Sequence, residues 1–128
     1  MKVQEAIDMA DSVKPNAYSN ADKVAWLAEL EGKIQTEIFL LPLEKLERPE
    51  SVTDELIVPF PYDSIYNFWL QAMIDFHNGE YDKYDNTFAM FNEKWKDFEK
   101  WRTINYPTVG SLKRGETRVG KEGYNADI

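Results

Sequence analysis

The chain has 128 residues, 43% of them hydrophobic and 14% aromatic, with no cysteine, one histidine and a formal net charge of −8. That length makes one domain able to bury roughly two thirds of its unfolded surface, and that composition excludes a disordered chain. The missing cysteines exclude a disulfide framework and a thiolate metal site and fit a reducing cytosolic setting; no run reaches the ~18 apolar residues of a membrane helix, and the start, MKVQEAIDMADSV, lacks the apolar stretch of a secretory signal.

Val3, Ile7, Ala10 and Val13 recur at steps of four and three, which predicts a short amphipathic helix over residues 3–13. Pro15 stops it, because the residue before a proline avoids helical angles. Ser19 then caps a second helix, with Asp22 three residues on in the reach-back position of a capping box. The inner face of this helix is Val24, Leu27, Glu31, Ile34, Ile38 and Leu41, widened by Trp26 and Leu30, and Pro42 ends it. Gly32 in mid-helix costs about 1 kcal/mol against alanine, which points to the close approach of another helix.

Residues 42–61, PLEKLERPESVTDELIVPFP, form a long connection with four prolines. Such a loop is uncommon in a compact domain unless it is used. Two readings are open for its apolar end. Leu56, Ile57, Val58 and Phe60 pack down onto the helices, or they form a short strand or arm that contacts a neighbouring subunit or partner, for which their β-branched and aromatic character suits them.

A third helix is predicted from about Ser64 to His77, capped by Asp63. Ile65, Trp69, Ala72, Met73 and Phe76 make its inner face, with Tyr66 and Leu70 alongside. Asn78-Gly79 closes it, since glycine is the usual residue just past a helix end. A fourth helix starts near Tyr81, antiparallel to the third. On it Tyr81, Tyr84, Phe88, Phe91, Trp95 and Phe98 are spaced 3, 4, 3, 4, 3, one side of a helix for five turns, while Asp82, Lys83, Asp85, Glu93, Lys94, Lys96, Asp97, Glu99 and Lys100 fill the other side. The row reads as core: a platform for stacking bases interleaves Lys and Arg among its rings, and this row contains none.

After Trp101 the pattern stops. The remainder holds four of the six glycines and few large apolar residues, a frayed terminus or an arm that orders on a partner. Up to Trp101 there are 10 basic against 20 acidic residues; from Arg102 onward there are 5 against 3. Lys113, Arg114, Arg118 and Lys121 of this tail are suited to meet an acidic surface, including a neighbouring copy of the chain. The acidic body repels nucleic acid at long range. The predicted architecture is all-α: a small bundle of about four helices over residues 1–102, with a long Pro-containing loop, and an extended C-terminal arm over 103–128.

Signals for catalysis are nearly absent. His77 sits at a helix end, where a cation favours the dipole, and no second histidine or cysteine exists to complete a metal or nucleophile site. The pairs Asp82/Asp85 and Glu93/Asp97 lie on the predicted solvent face, without the burial that tunes a catalytic carboxylate. The sequence contains no phosphate-binding glycine loop and no EF-hand spacing. The expectation is a protein that is not an enzyme, with no catalytic residue, no metal and no cofactor.

The order of features resembles a known family. A short helix in VQEAIDMADSVKPNAYS, a longer one in DKVAWLAELEGKIQTEIF, and a Pro-containing loop leading into VPFPYDSIYNFWLQAMIDFHNGEYDKYDNTFAMFNEKWKDFEKW with a Gly/Arg tail look like prophage-encoded head-tail connector (head completion, or adaptor) proteins. The likeness spans residues 3–101. It implies a ring of copies docked on the portal protein, seating a tail or stopper protein, with DNA passing nearby without specific binding and no membrane. Loops and termini would reach neighbouring subunits, here residues 50–61 and 103–128. The location implied is the virion neck, reached from the host cytoplasm. The alternative is a small acidic inhibitor that mimics DNA and binds a host nucleic-acid enzyme, although Lys83, Lys94, Lys96 and Lys100 interrupt the acids of the fourth helix.

Overall fold

A computed structural model describes residues 1–106. Among these the fold is all-α, with four helices: α1 (Val3–Val13), α2 (Asn20–Glu37), α3 (Ile65–His77) and α4 (Tyr81–Asn105). The predicted 103–128 arm lies beyond Tyr106 for all but its first four residues, and α4 itself runs to Asn105. The backbone clusters into two compact units. Unit one is Met1–Glu31 with Glu47–Trp95; unit two is Gly32–Leu46 with the chain from Lys96.

Unit one is a small bundle built on α1 and α3. Lys2 N–H donates to Glu5 Oε1 at 2.7 Å, the reach-back half of a capping box at the start of α1. Val3, Ala6, Ile7 and Ala10 are buried, while Val13, at the end of the predicted stripe, is exposed. Asp22 N–H donates to Ser19 Oγ at 3.1 Å, so Ser19 caps α2. The buried face of α2 in this unit is Leu27, Ala28, Leu30 and Glu31. Trp69 on α3 donates its indole N–H to the Trp26 carbonyl at 2.8 Å, and its ring lies 5.1 Å from Phe91 of α4. Gly79, at φ 75°, turns α3 into α4. The predicted cap at Asp63 is pre-empted: a 3-10 turn over Tyr62–Ser64 leads into α3, whose cap position is Ser64, with no side-chain capping bond.

The long loop folds onto its own chain. Val3 N–H donates to the Asp54 carbonyl, Gln4 N–H to the Val52 carbonyl and Leu56 N–H to the Met1 carbonyl, at 2.9 to 3.0 Å, around a single antiparallel bridge between Lys2 and Glu55. Of the four residues with strand-forming character in the sequence, only Leu56 takes part in this pairing, through its N–H.

In unit two α2 ends at Glu37, five residues before Pro42. Phe39 N–H takes the Ile34 carbonyl, Leu41 N–H takes the Gln35 carbonyl, and Leu40 sits in the left-handed region at φ 60°. Ile34, Ile38 and Phe98 are buried. The tight helix contact expected at Gly32 is absent: a Cβ there meets nothing within 4 Å.

Candidate functional site

The most constrained part of unit one is the root of the long loop. Glu31, buried on α2, receives the Tyr66 hydroxyl on Oε1 at 2.6 Å and the Ile57 N–H on Oε2 at 3.0 Å. The Tyr66 hydroxyl in turn accepts the Val58 N–H at 2.8 Å. Two successive loop amides are thus satisfied by side chains from α2 and α3, which stands in for a sheet partner. Burial holds the Glu31 carboxyl above its ordinary 4.5, against the lowering effect of the Tyr66 and Ile57 donors. Burial also raises the Tyr66 phenol, with the Glu31 charge adding to it.

Beside this node lies a cleft of about 280 Å³, lined by Glu31, Glu47, Arg48, Asp54, Glu55 and Ile57. The Asp54 carboxylate accepts the Glu50 N–H at 2.7 Å and the Ser51 N–H at 3.0 Å, and these bonds hold it below its usual range. Among the described residues no group of three or more acids and histidines is placed to hold a metal ion, and no helix is long and apolar enough to cross a membrane.

Of the eight contact residues proposed from the sequence, the four in the loop separate by environment. Leu56 and Val58 are buried in the chain's own core; Ile57 is 38% exposed and Phe60 86% exposed. Phe60 stands between Pro59 and Pro61, at a turn closed by Tyr62 N–H donating to the Pro59 carbonyl at 2.8 Å. Lys113, Arg114, Arg118 and Lys121 lie outside the described residues.

His77 closes α3 and stacks on Trp26, centroids 4.8 Å apart and planes within 6°. Tyr18 packs edge-on against Trp26 and donates its hydroxyl to Asn78 Oδ1 at 2.7 Å. Asp82, Asp85, Glu93 and Asp97 are all exposed. The aromatic row of α4 is only partly interior: Phe91 in unit one and Phe98 in unit two are buried, Tyr84, Phe88 and Trp95 are half-buried, and Tyr81 is 60% exposed.

Two polar nodes escaped the sequence reading. Asp75, buried on α3, pairs with Lys14 Nζ at 2.9 Å and accepts the Thr87 hydroxyl at 2.9 Å. Lys23, almost wholly buried, pairs with Asp11 at 3.0 Å. Their signal was positional: Asp75 falls between buried Ala72 and Ile74 and half-buried Met73 on one side and a helix end on the other, where an acid needs a partner.

The fold defines a small all-α protein whose best-built feature is an anchored loop. No family model, no curated protein and no solved structure matches the chain.

The Glu31 node has a testable pH signature. A carboxyl held above its unfolded value keeps its proton to higher pH when folded, so its contribution to stability is complete below about pH 4.5 and is lost as pH rises through the raised value. Relative to Glu31→Gln, the wild type is therefore expected to lose stability as pH is raised from about 4.5 toward neutrality. Urea midpoints of both proteins across that range check it; a constant difference would contradict the assignment.

Proposed function

We propose that this chain is a non-enzymatic structural protein of a phage virion, a head-tail connector that docks on the portal protein, assembles as a ring of copies and seats a tail or stopper protein at the neck after a period in the host cytoplasm. The observation that carries the reading is the loop tip. Phe60 is held out in solvent on a backbone whose neighbours Leu56 and Val58 are buried and whose amides at Ile57 and Val58 are tied to Glu31 and Tyr66. A large ring presented on an anchored backbone loses little entropy when it enters a partner's pocket, and such aromatics dominate interface energetics. The sequence likeness through PYDSIYNFWLQAMIDFHNGEY supports the same reading. The excess of acids also suits a channel wall that does not retain passing DNA.

Co-expression with the portal protein of the same phage tests it. The chain is expected to co-purify with assembled portal, and Phe60→Ser is expected to lose that association while its unfolding midpoint stays within about 0.5 kcal/mol of wild type, as for an exposed position. Failure of the wild type to bind portal in a preparation with intact capsids would refute the reading.

A further inference from the structure

The last turn of α4 carries a cation, Arg102, that has no counter-ion among the described residues. Arg102 is half-buried in unit two, its guanidinium carbon 4.3 Å from the centroid of the Phe39 ring and 4.1 Å from that of Tyr106. Among the described residues no carboxylate lies within ion-pair distance of it. Glu37, in the same unit, is engaged with Lys33 at 3.4 Å. Burial lowers the guanidinium below its ordinary pKa, with Tyr106 opposing the shift, yet an arginine stays charged at neutral pH. The side chain has given up water and gained two rings, but its hydrogen-bonding fork is met by no acid among the described residues.

An arriving anion would recover that desolvation. A nucleic-acid backbone is a poor fit, because phosphate binding needs several cations together, and the flanking stretch of α4 balances Lys96 and Lys100 against Asp97 and Glu99. One carboxylate matches the fork bidentately. The surroundings are those of a protein contact. Tyr106 and Ile104 are exposed, and Leu40, next in the chain to Phe39, is 50% exposed while held at φ 60°. A leucine kept in the left-handed region with its side chain half in solvent gains little within the folded chain, and such strain gathers at contact and switch positions. Arginine and tyrosine with an apolar rim is also the composition of an interface centre.

We propose that Arg102, held between Phe39 and Tyr106, receives a carboxylate from a second copy of this chain. Copies at −8 each repel at long range, so a contact between them needs a cation facing an acid, and with 23 acids against 15 bases a second copy presents mainly carboxylates. The inference rests on the assembly reading above and supplies its subunit contact. An acid that lies outside the patch around Arg102 makes the contact head-to-tail, the kind that closes into rings, whereas an acid within that patch would form the pair twice across a two-fold axis.

Sedimentation velocity of the full chain at physiological ionic strength, where repulsion between copies is screened beyond about 8 Å, compares wild type with Arg102→Gln and Arg102→Lys over a wide concentration range. The wild type is expected to self-associate. Arg102→Gln is expected to weaken association by about tenfold or more, and Arg102→Lys to restore it only in part, because a lysine keeps the charge and loses the fork. Circular dichroism melting of the three proteins separates contact from packing: melting temperatures that stay together while association diverges support the proposal. Equal association of wild type and Arg102→Gln would overturn it and leave portal co-purification to decide the assembly reading on its own. A wild type that stays monomeric at every concentration would overturn it as well, as would a loss of association that only tracks a loss of melting temperature in both variants.

Discussion

Asp75→Ala is expected to lower the stability of the protein by about 3 kcal/mol. Asp75 is buried on α3 and holds Lys14 from the end of α1 and Thr87 from α4, each at 2.9 Å. Removing one partner of a buried pair costs about 3–5 kcal/mol, because the other charge stays behind without compensation. The Lys14 side chain is 23% exposed and recovers some hydration, which puts the expectation at the lower end. The Thr87 hydroxyl, buried and without its acceptor, adds a desolvation penalty of about 1 kcal/mol. Two further variants apportion the effect. Thr87→Val removes only the hydroxyl bond and is expected to cost about 1 kcal/mol. In Lys14→Met the ammonium that Asp75 compensates is gone, so adding Asp75→Asn should cost less than it does in the wild type, a coupling of about 1–3 kcal/mol between neighbours. Urea unfolding of the single and double variants measures it; additive effects would show that the three residues do not act as one node.

How well such features can be read from sequence depends on how local their causes are. Pro15, Ser19 and Asn78-Gly79 mark helix ends through the backbone of their immediate neighbours, and the end of α1, the start of α2, the end of α3 and the start of α4 fall close to those signals. The end of α2 is the exception. Pro42 suggested a stop, but the helix closes at Glu37 through Leu40 at φ 60°, a conformation that leucine disfavours and that no local rule assigns to it. The candidate contact residues show the same divide. LIVPFP reads as one apolar run, yet Leu56 and Val58 turn inward and Ile57 and Phe60 stay out, because the amides of Leu56, Ile57 and Val58 are held by Met1, Glu31 and Tyr66, groups that no local rule assigns to the loop. The Glu31–Tyr66 node was half visible: Glu31 fell on the apolar face of α2, but which hydroxyl would meet it depended on packing. Arg102 falls with the basic tail in the charge count and at the last position of the bundle expected over residues 1–102, because the aromatic row stops at Trp101. Tyr106, four residues on, was the signal that the helix and its ring contacts continue.

Phe98→Ala is expected to cost about 3–5 kcal/mol, the range for deleting a buried aromatic side chain. Phe98 is fully buried in unit two, 6.2 Å from the Phe39 ring and stacked on Trp101 at 5.9 Å. The row on α4 looks uniform in sequence, so if spacing alone decided burial every ring would carry a similar penalty. The exposures say otherwise. Tyr81→Ala, at a ring 60% in solvent, is expected to cost less than about 1 kcal/mol, and Trp95→Ala, half-buried, to fall between the two. The row therefore acts as a graded set, with Phe91 and Phe98 as its interior members and the others left partly free on a helix of 25 residues. Fluorescence gives a direct check, because Trp101 is the tryptophan of unit two and stacks on Phe98, while Trp26, Trp69 and Trp95 belong to unit one. In Phe98→Ala the Trp101 emission is expected to shift to the red under native conditions, and the urea midpoint to fall with it. Equal costs for Tyr81→Ala and Phe98→Ala would mean that the whole row is interior in solution, covered at its start by something other than the described residues.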